Sequence, residues 1–160
     1  MPNPRLYLET SVVSYLTALP SRDLVIAGQQ QITSDWWSRR HRFDLFVSDA
    51  VLAEASRGDP EAAARRLRAL EDIPALVATQ EAQNLTDEIL RTATMPPKAA
   101  VDAAHVAIAT VHGLDYLLTW NCTHIANAAN RPKIENVCRA FGYNTPVICT
   151  PFELFEEEEP

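Results

Sequence analysis

An α/β fold, a three-layer α/β/α sandwich around a parallel sheet, is what this sequence predicts, and three observations predict it. Short strand-like runs alternate with longer helical stretches from one end of the chain to the other, and that rhythm builds a parallel sheet covered on both faces. The first of these runs, Arg5 to Leu8, is short and apolar. The chain has 160 residues, the size of one domain with one core, and no repeat or linker interrupts it. Residues 1–155 are therefore expected to form one domain, with 156–160 as an acidic tail.

The elements follow in order. Arg5 to Leu8 is a short apolar strand, and Glu9-Thr10-Ser11 offers a hydroxyl cap for a helix starting at Val12. Arg22 to Arg40 is helical by the spacing of Val25, Ile32 and Trp36, which places Trp36 in the core. Asp44 to Ser48 is the next strand, and Ser48 or Asp49 caps a helix carrying Glu54. Beyond Gly58 and Pro60 an Ala- and Arg-rich helix runs to Leu70, and a short strand follows at Ala75 to Ala78. Gln80 to Thr94 is an amphipathic helix through Ala82, Leu85, Ile89 and Leu90, stopped by Met95-Pro96-Pro97. Ala99 to Val111 is a helix apolar nearly all round, closed by Gly113. A strand at Tyr116 to Thr119, a pair of helices from about Cys122 to Phe141 and a last strand at Pro146 to Cys149 complete the reading.

Composition narrows the function classes. Apolar residues make up 47% and charged residues 22%, as in an ordinary globular protein. No stretch reaches the roughly 20 apolar residues of a membrane span, so neither a membrane nor a secretory address is expected. Cys122, Cys138 and Cys149 are odd in number and form no Cys-x-x-Cys pair, which fits reduced thiols in a cytoplasmic protein. Net charge is −7, yet the last ten residues hold five of the 21 acids, and the remaining 16 stand against 14 bases. So nearly neutral a body argues against phosphate binding over the whole surface and leaves room for a local basic patch. Gly28, Gly58, Gly113 and Gly142 are isolated, so neither a dinucleotide fingerprint nor a phosphate-binding loop is present, and no Gly-x-Ser-x-Gly elbow occurs.

Three carboxylates stand where a carboxylate is costly. Glu9 follows Leu6-Tyr7-Leu8, Glu54 lies within Val51-Leu52-Ala53-Glu54-Ala55, and Asp102 lies within Ala99-Ala100-Val101-Asp102-Ala103-Ala104. A lone buried carboxylate costs several kcal/mol, so such residues gather around a cation or a paired base. For any one of them partial exposure is an equal reading, with Lys98 pairing Asp102 across one helical turn. A hard divalent ion accounts for all three together.

These segments resemble the PIN-domain ribonuclease family. Leu6-Tyr7-Leu8-Glu9-Thr10-Ser11 is similar to its opening strand, and Ala53-Glu54-Ala55 to its central glutamate. Asp102-Ala103-Ala104-His105-Val106-Ala107-Ile108-Ala109 resembles the helix bearing its third acid, and Leu117-Leu118-Thr119-Trp120-Asn121 the strand ending at its fourth acidic position. The resemblance implies a PIN-like sandwich and metal-dependent cleavage of RNA that leaves 5′-phosphate and 3′-hydroxyl ends. It also implies the toxin half of a toxin-antitoxin pair, with an RNA substrate, a small antitoxin partner and a homodimer. Glu9, Glu54, Asp102 and Asn121 would hold Mg²⁺ or Mn²⁺. Two departures stand out: Glu9 is one methylene longer than the family's usual Asp, and Asn121 offers an oxygen without its charge, which should weaken metal binding.

Other residues carry smaller expectations. Thr10 would support the metal's water shell, and His105, one turn beyond Asp102, either orients a carboxylate or touches a phosphate, unless it is a satisfied core histidine. Arg131 and Lys133, close in sequence to Asn121, are candidates for phosphate contact, whereas Arg65, Arg66 and Arg68 read as a solvated face. Cys122 and His124 have no second ligand pair for zinc. The rival to the nuclease is a degenerate PIN domain that binds RNA or a partner protein, and a further rival is an interaction subunit using the Glu156 to Glu159 tail.

Overall fold

The computed structural model describes residues 2–92 and 95–154. Its five strands are β1 (Arg5–Leu8), β2 (Asp44–Ser48), β3 (Ala75–Leu76), β4 (Tyr116–Leu118) and β5 (Val147–Cys149). They form one sheet in the order β3-β2-β1-β4-β5, every pairing parallel. The helices are α1 (Thr10–Thr17), α2 (Leu24–Trp37), α3 (Asp49–Ala55), α4 (Pro60–Ala69), α5 (Gln80–Thr92), α6 (Ala100–Val111) and α7 (Arg131–Ala140). The α/β sandwich expected from the strand-helix rhythm is the observed architecture.

The sequence pattern explains the layout. Leu6, Tyr7 and Leu8 are all fully buried, so the central strand is covered on both faces, which is why it shows no polar alternation. The α6 residues Ala103, Val106, Ala107 and Ala109 are equally buried, and α6 packs on α5 and α3. Trp36 lies in the core against Phe43 and Trp37. Chain order reverses at β1: β2 and β3 lie to one side, β4 and β5 to the other. A parallel sheet opens a crevice beyond its carboxyl edge at such a reversal, and there the loops after β1 and β4 meet.

Several boundaries differ from the sequence reading for physical reasons. The first helix begins at Thr10, because the Glu9 carboxylate itself accepts from the Ser11 backbone N–H and acts as the cap. The second begins at Leu24, capped by Asp23. The third strand is only Ala75–Leu76, and residues 93 and 94, expected to end α5, lie outside the described residues, as do 155–160 with their acidic tail. The helix pair expected from Cys122 to Phe141 is one helix, α7, preceded by turns. Side chains there compete with the helical ladder: Asn121 Oδ1 accepts from the His124 N–H (3.0 Å), Asn127 Oδ1 accepts from Ala129 (2.9 Å), and Asn127 Nδ2 donates to the Cys122 carbonyl (3.2 Å).

Gly113 closes α6 with φ 70°, its N–H bonded to the Thr110 carbonyl and that of Leu114 to the Ala109 carbonyl. This paired closure needs a left-handed residue, which a Cβ penalises. Gly113→Ala is expected to lower stability by about 1 kcal/mol, a loss readable as a drop in the urea midpoint at unchanged slope.

Candidate metal and nuclease site

The ends of β1 and β4 each deliver a polar group to the crevice. At the end of β1 the Glu9 carboxylate, 5% exposed, accepts three hydrogen bonds. Its Oε2 takes the Ser11 N–H (2.8 Å), and its Oε1 takes the Ser11 hydroxyl (2.6 Å) and the Thr119 hydroxyl at the end of β4 (2.5 Å). Thr119 Oγ1 accepts in turn from the Asn121 N–H (2.9 Å), and Ser11 Oγ from that of Trp120 (2.8 Å). A buried anion is thereby fixed to both strands that border the chain reversal, with its charge spread over three donors.

Glu54 comes from the last turn of α3, whose start is set by Ser48 at the end of β2: Ser48 Oγ accepts from the Val51 N–H (3.2 Å). Its Oε1 accepts from Thr10 Oγ1 (2.7 Å) and lies 2.5 Å from His105 Nε2. Because a carboxylate only accepts, Nε2 carries the proton of that contact. Both neighbours address Oε1, and Oε2 takes no hydrogen bond among the described residues. Burial works against ionisation of Glu54, but the bond and charge of His105, the Thr10 hydroxyl and Arg57 outweigh it and hold the carboxyl below its ordinary range. Burial likewise disfavours a charged His105, and the bond to Glu54 with the charges of Glu9, Glu54 and Asp102 prevails and raises the ring.

His105, completely buried on α6, turns its other nitrogen to β1: Nδ1 lies 2.6 Å from the Tyr7 hydroxyl, which lies 2.6 Å from Ser48 Oγ. Burial is the main cause pushing the Tyr7 phenol far above its ordinary value, so it stays protonated. The sequence reading gave Tyr7 no role at the site and Ser48 only that of a helix cap, which it fills. A tyrosine inside an otherwise aliphatic strand was the available signal, since a buried phenol needs a partner.

Glu9, Glu54 and His105 each offer a ligand atom, all within 4.8 Å of one another. Asp102, about a fifth exposed and one turn before His105, is engaged elsewhere: its Oδ2 meets His124 Nδ1 at 2.9 Å, and it lies outside that group of three. His124 thus pairs Asp102, the contact the sequence had offered to Lys98. Asn121 is half-buried with its amide oxygen on the His124 N–H. Arg131, at the start of α7, reaches Glu153 (3.7 Å) and the Ala126 carbonyl (3.5 Å), and it borders a cavity of about 350 Å³ formed with Glu135, Arg139 and residues 143–148. Lys133 borders a different depression, with Glu88 and Phe141. Arg65 and Arg66 are tied to backbone carbonyls, of Thr17 (3.1 Å) and of Ala55 (3.0 Å), so two of the three arginines read as a solvated face lock α4 to its neighbours.

No family model matches this chain, and no curated protein matches it. Among solved structures it is similar to VapC20 of Mycobacterium tuberculosis, a toxin that cleaves the sarcin-ricin loop, with a TM-score of 0.58 and 18% identity over 74% of this chain and 91% of that one. At that identity the likeness speaks for the fold, and the fold is the PIN-like sandwich that the four sequence segments suggested. No helix among the described residues is long and apolar enough to cross a membrane.

Proposed function

We propose that this chain is a metal-dependent endoribonuclease and the toxin half of a toxin-antitoxin pair, acting in the cytoplasm. The observation that carries the reading is the convergence of Glu9, at the end of β1, and Glu54, in the last turn of α3, on one point with His105. Two carboxylate oxygens with free lone pairs, in a half-buried pocket, suit a hard divalent cation. The donor set therefore fits Mg²⁺ or Mn²⁺, held by Glu9 and Glu54, with Asp102 from α6 and the amide oxygen of Asn121 completing the site. Once bound, such an ion supplies charge neutralisation and water activation for phosphodiester hydrolysis.

The chain's own residues do the rest. Ser11 and Thr119 fix the nearly buried Glu9 through three hydrogen bonds. Thr10 and His105 hold Oε1 of Glu54 and leave Oε2 to the crevice. Arg131 and Lys133 remain the candidates to draw the RNA backbone, as local charges on a body of nearly balanced charge. The fold's likeness to a toxin that cleaves the sarcin-ricin loop supports RNA as substrate, and a small antitoxin as partner and a homodimer as the assembly come with the family resemblance of the sequence. Asn121 favours a second reading, an RNA- or protein-binding module with little catalysis, because its oxygen already serves the His124 turn.

Asn121→Asp separates the two. A carboxylate keeps an oxygen for the His124 N–H and adds a charge beside the pocket. In a working site the variant is expected to bind Mn²⁺ about tenfold more tightly and to reach full cleavage of a structured RNA at lower Mn²⁺. Calorimetric titration together with a gel assay of cleavage decides the matter: equal or weaker binding, with no cleavage by either form, would leave the binding module as the better account.

A further inference from the structure

The chain of hydrogen bonds that starts at Ser48 ends on the metal-facing carboxylate, and its middle member has no part in the chemistry proposed above. We infer that Tyr7 is a positioning residue for Glu54, acting through the ring of His105. The inference rests on the reading of Glu54 as a metal-holding carboxylate. Four groups lie in line: Ser48 Oγ, the Tyr7 hydroxyl 2.6 Å away, His105 Nδ1 a further 2.6 Å away, and Glu54 Oε1 2.5 Å from Nε2 of the same ring. Tyr7 and Ser48 are completely buried, and so is His105.

The line joins the elements that carry Glu9, Glu54 and Asp102. Tyr7 is two residues before Glu9 on β1, Ser48 caps the helix that carries Glu54, and His105 is one turn beyond Asp102 on α6. A phenyl ring would fill the same space in the core, so packing asks for Phe, and the hydroxyl must be explained by what it touches. It fixes the rotation of the imidazole about its outer torsion, which is otherwise broad, so that Nε2 points at Oε1 and at nothing else. Glu54 is then clamped between His105 and Thr10 at Oε1, and Oε2 is the oxygen that would be left to hold a cation. The Tyr7 ring meets the imidazole edge-on at a centroid distance of 5.7 Å, which leaves the hydroxyl as the group that sets its orientation. Supporting contacts of this kind typically govern metal affinity by ten- to hundredfold.

The test is calorimetric Mn²⁺ titration of the apo protein, with melting curves, for Tyr7→Phe, His105→Gln, their double variant, Glu54→Gln and Ile89→Val. Ile89 is a fully buried core residue of α5 and a control for lost packing alone. Tyr7→Phe is expected to weaken Mn²⁺ binding about ten- to hundredfold, and to lower kcat at low Mn²⁺ with the KM for RNA unchanged. Ile89→Val should lower the melting temperature and leave Mn²⁺ affinity alone. The double variant should bind no more weakly than His105→Gln, since a residue that acts through another adds nothing once that one is gone. Wild-type affinity in Tyr7→Phe, an equal loss in Ile89→Val, or losses that add in the double variant would each overturn the positioning role. Should Tyr7→Phe not fold, Ser48→Ala removes the far end of the line together with the cap of α3, and unchanged Mn²⁺ binding in that variant overturns the positioning role as well. If Glu54→Gln itself binds Mn²⁺ like the wild type, the metal-site reading fails, an outcome distinct from loss of binding in Glu54→Gln beside none in Tyr7→Phe.

Discussion

Glu54→Gln is expected to reduce RNA cleavage by roughly a thousandfold, the equivalent of the several kcal/mol of charge stabilisation that a well-placed cation gives a phosphodiester transition state, and to do so in a folded protein. The amide keeps an oxygen for Thr10 and His105 and loses the charge that faces the cation. It also removes the charged hydrogen-bond partner that, against the effect of burial, does most to raise the pKa of the His105 ring. The ring can then sit neutral, with Nδ1 accepting from the Tyr7 hydroxyl and Nε2 donating to the amide oxygen, so no buried group is left without a partner. A change of at most about 1 kcal/mol in stability is therefore expected. Single-turnover cleavage across a Mn²⁺ series, beside a urea melt of the apo form, reads both quantities. Retained cleavage at every Mn²⁺ concentration would remove Glu54 from the reaction.

What the sequence disclosed and what it concealed divide along one line. The bounds of β1 and β2, the positions of Glu9 and Glu54 and the core role of Trp36 were legible, because they depend on local apolar runs and on where a carboxylate interrupts them. The α/β sandwich followed from the order of those runs, as the parallel pairing of all five strands bears out. The turns at 122–130 were not legible as turns, since Asn121 and Asn127 act there through side-chain bonds that composition does not distinguish from helix. Nor was the Tyr7–Ser48–His105 line, whose members are 41 and 98 residues apart in sequence. Such contacts come into being only when β1, β2 and α6 are assembled, and no spacing rule along the chain announces them. Asp102 shows the intermediate case. Its place on α6, one turn from His105, could be read, whereas its contact with His124 belongs to the loop after β4 and could not.

Asp102→Asn is the second variant with a large expected effect, and the contact with His124 makes it more informative than the sequence alone allowed. Asparagine keeps an oxygen for His124 Nδ1, so the tie between α6 and the loop after β4 survives. What disappears is the negative charge in the first turn of α6, where the helix N-terminus favours it by about 0.5 kcal/mol. The fold should therefore hold, with a fall in melting temperature of only a few degrees. If Asp102 joins Glu9 and Glu54 around a cation, the same change is expected to cost cleavage at least about a hundredfold, beyond what a supporting contact alone accounts for, and to shift the Mn²⁺ requirement upward. If Asp102 serves only to hold His124, then Mn²⁺ affinity stays at the wild-type value and His124→Ala reproduces whatever loss is seen. Measuring Mn²⁺ binding and cleavage for both variants separates these outcomes, because a ligand lost from the cation changes affinity in Asp102→Asn and not in His124→Ala. Equal affinity in all three forms would place Asp102 with the loop rather than with the metal, and would leave Glu9 and Glu54 as the carboxylates that hold the cation, with His105 holding Glu54.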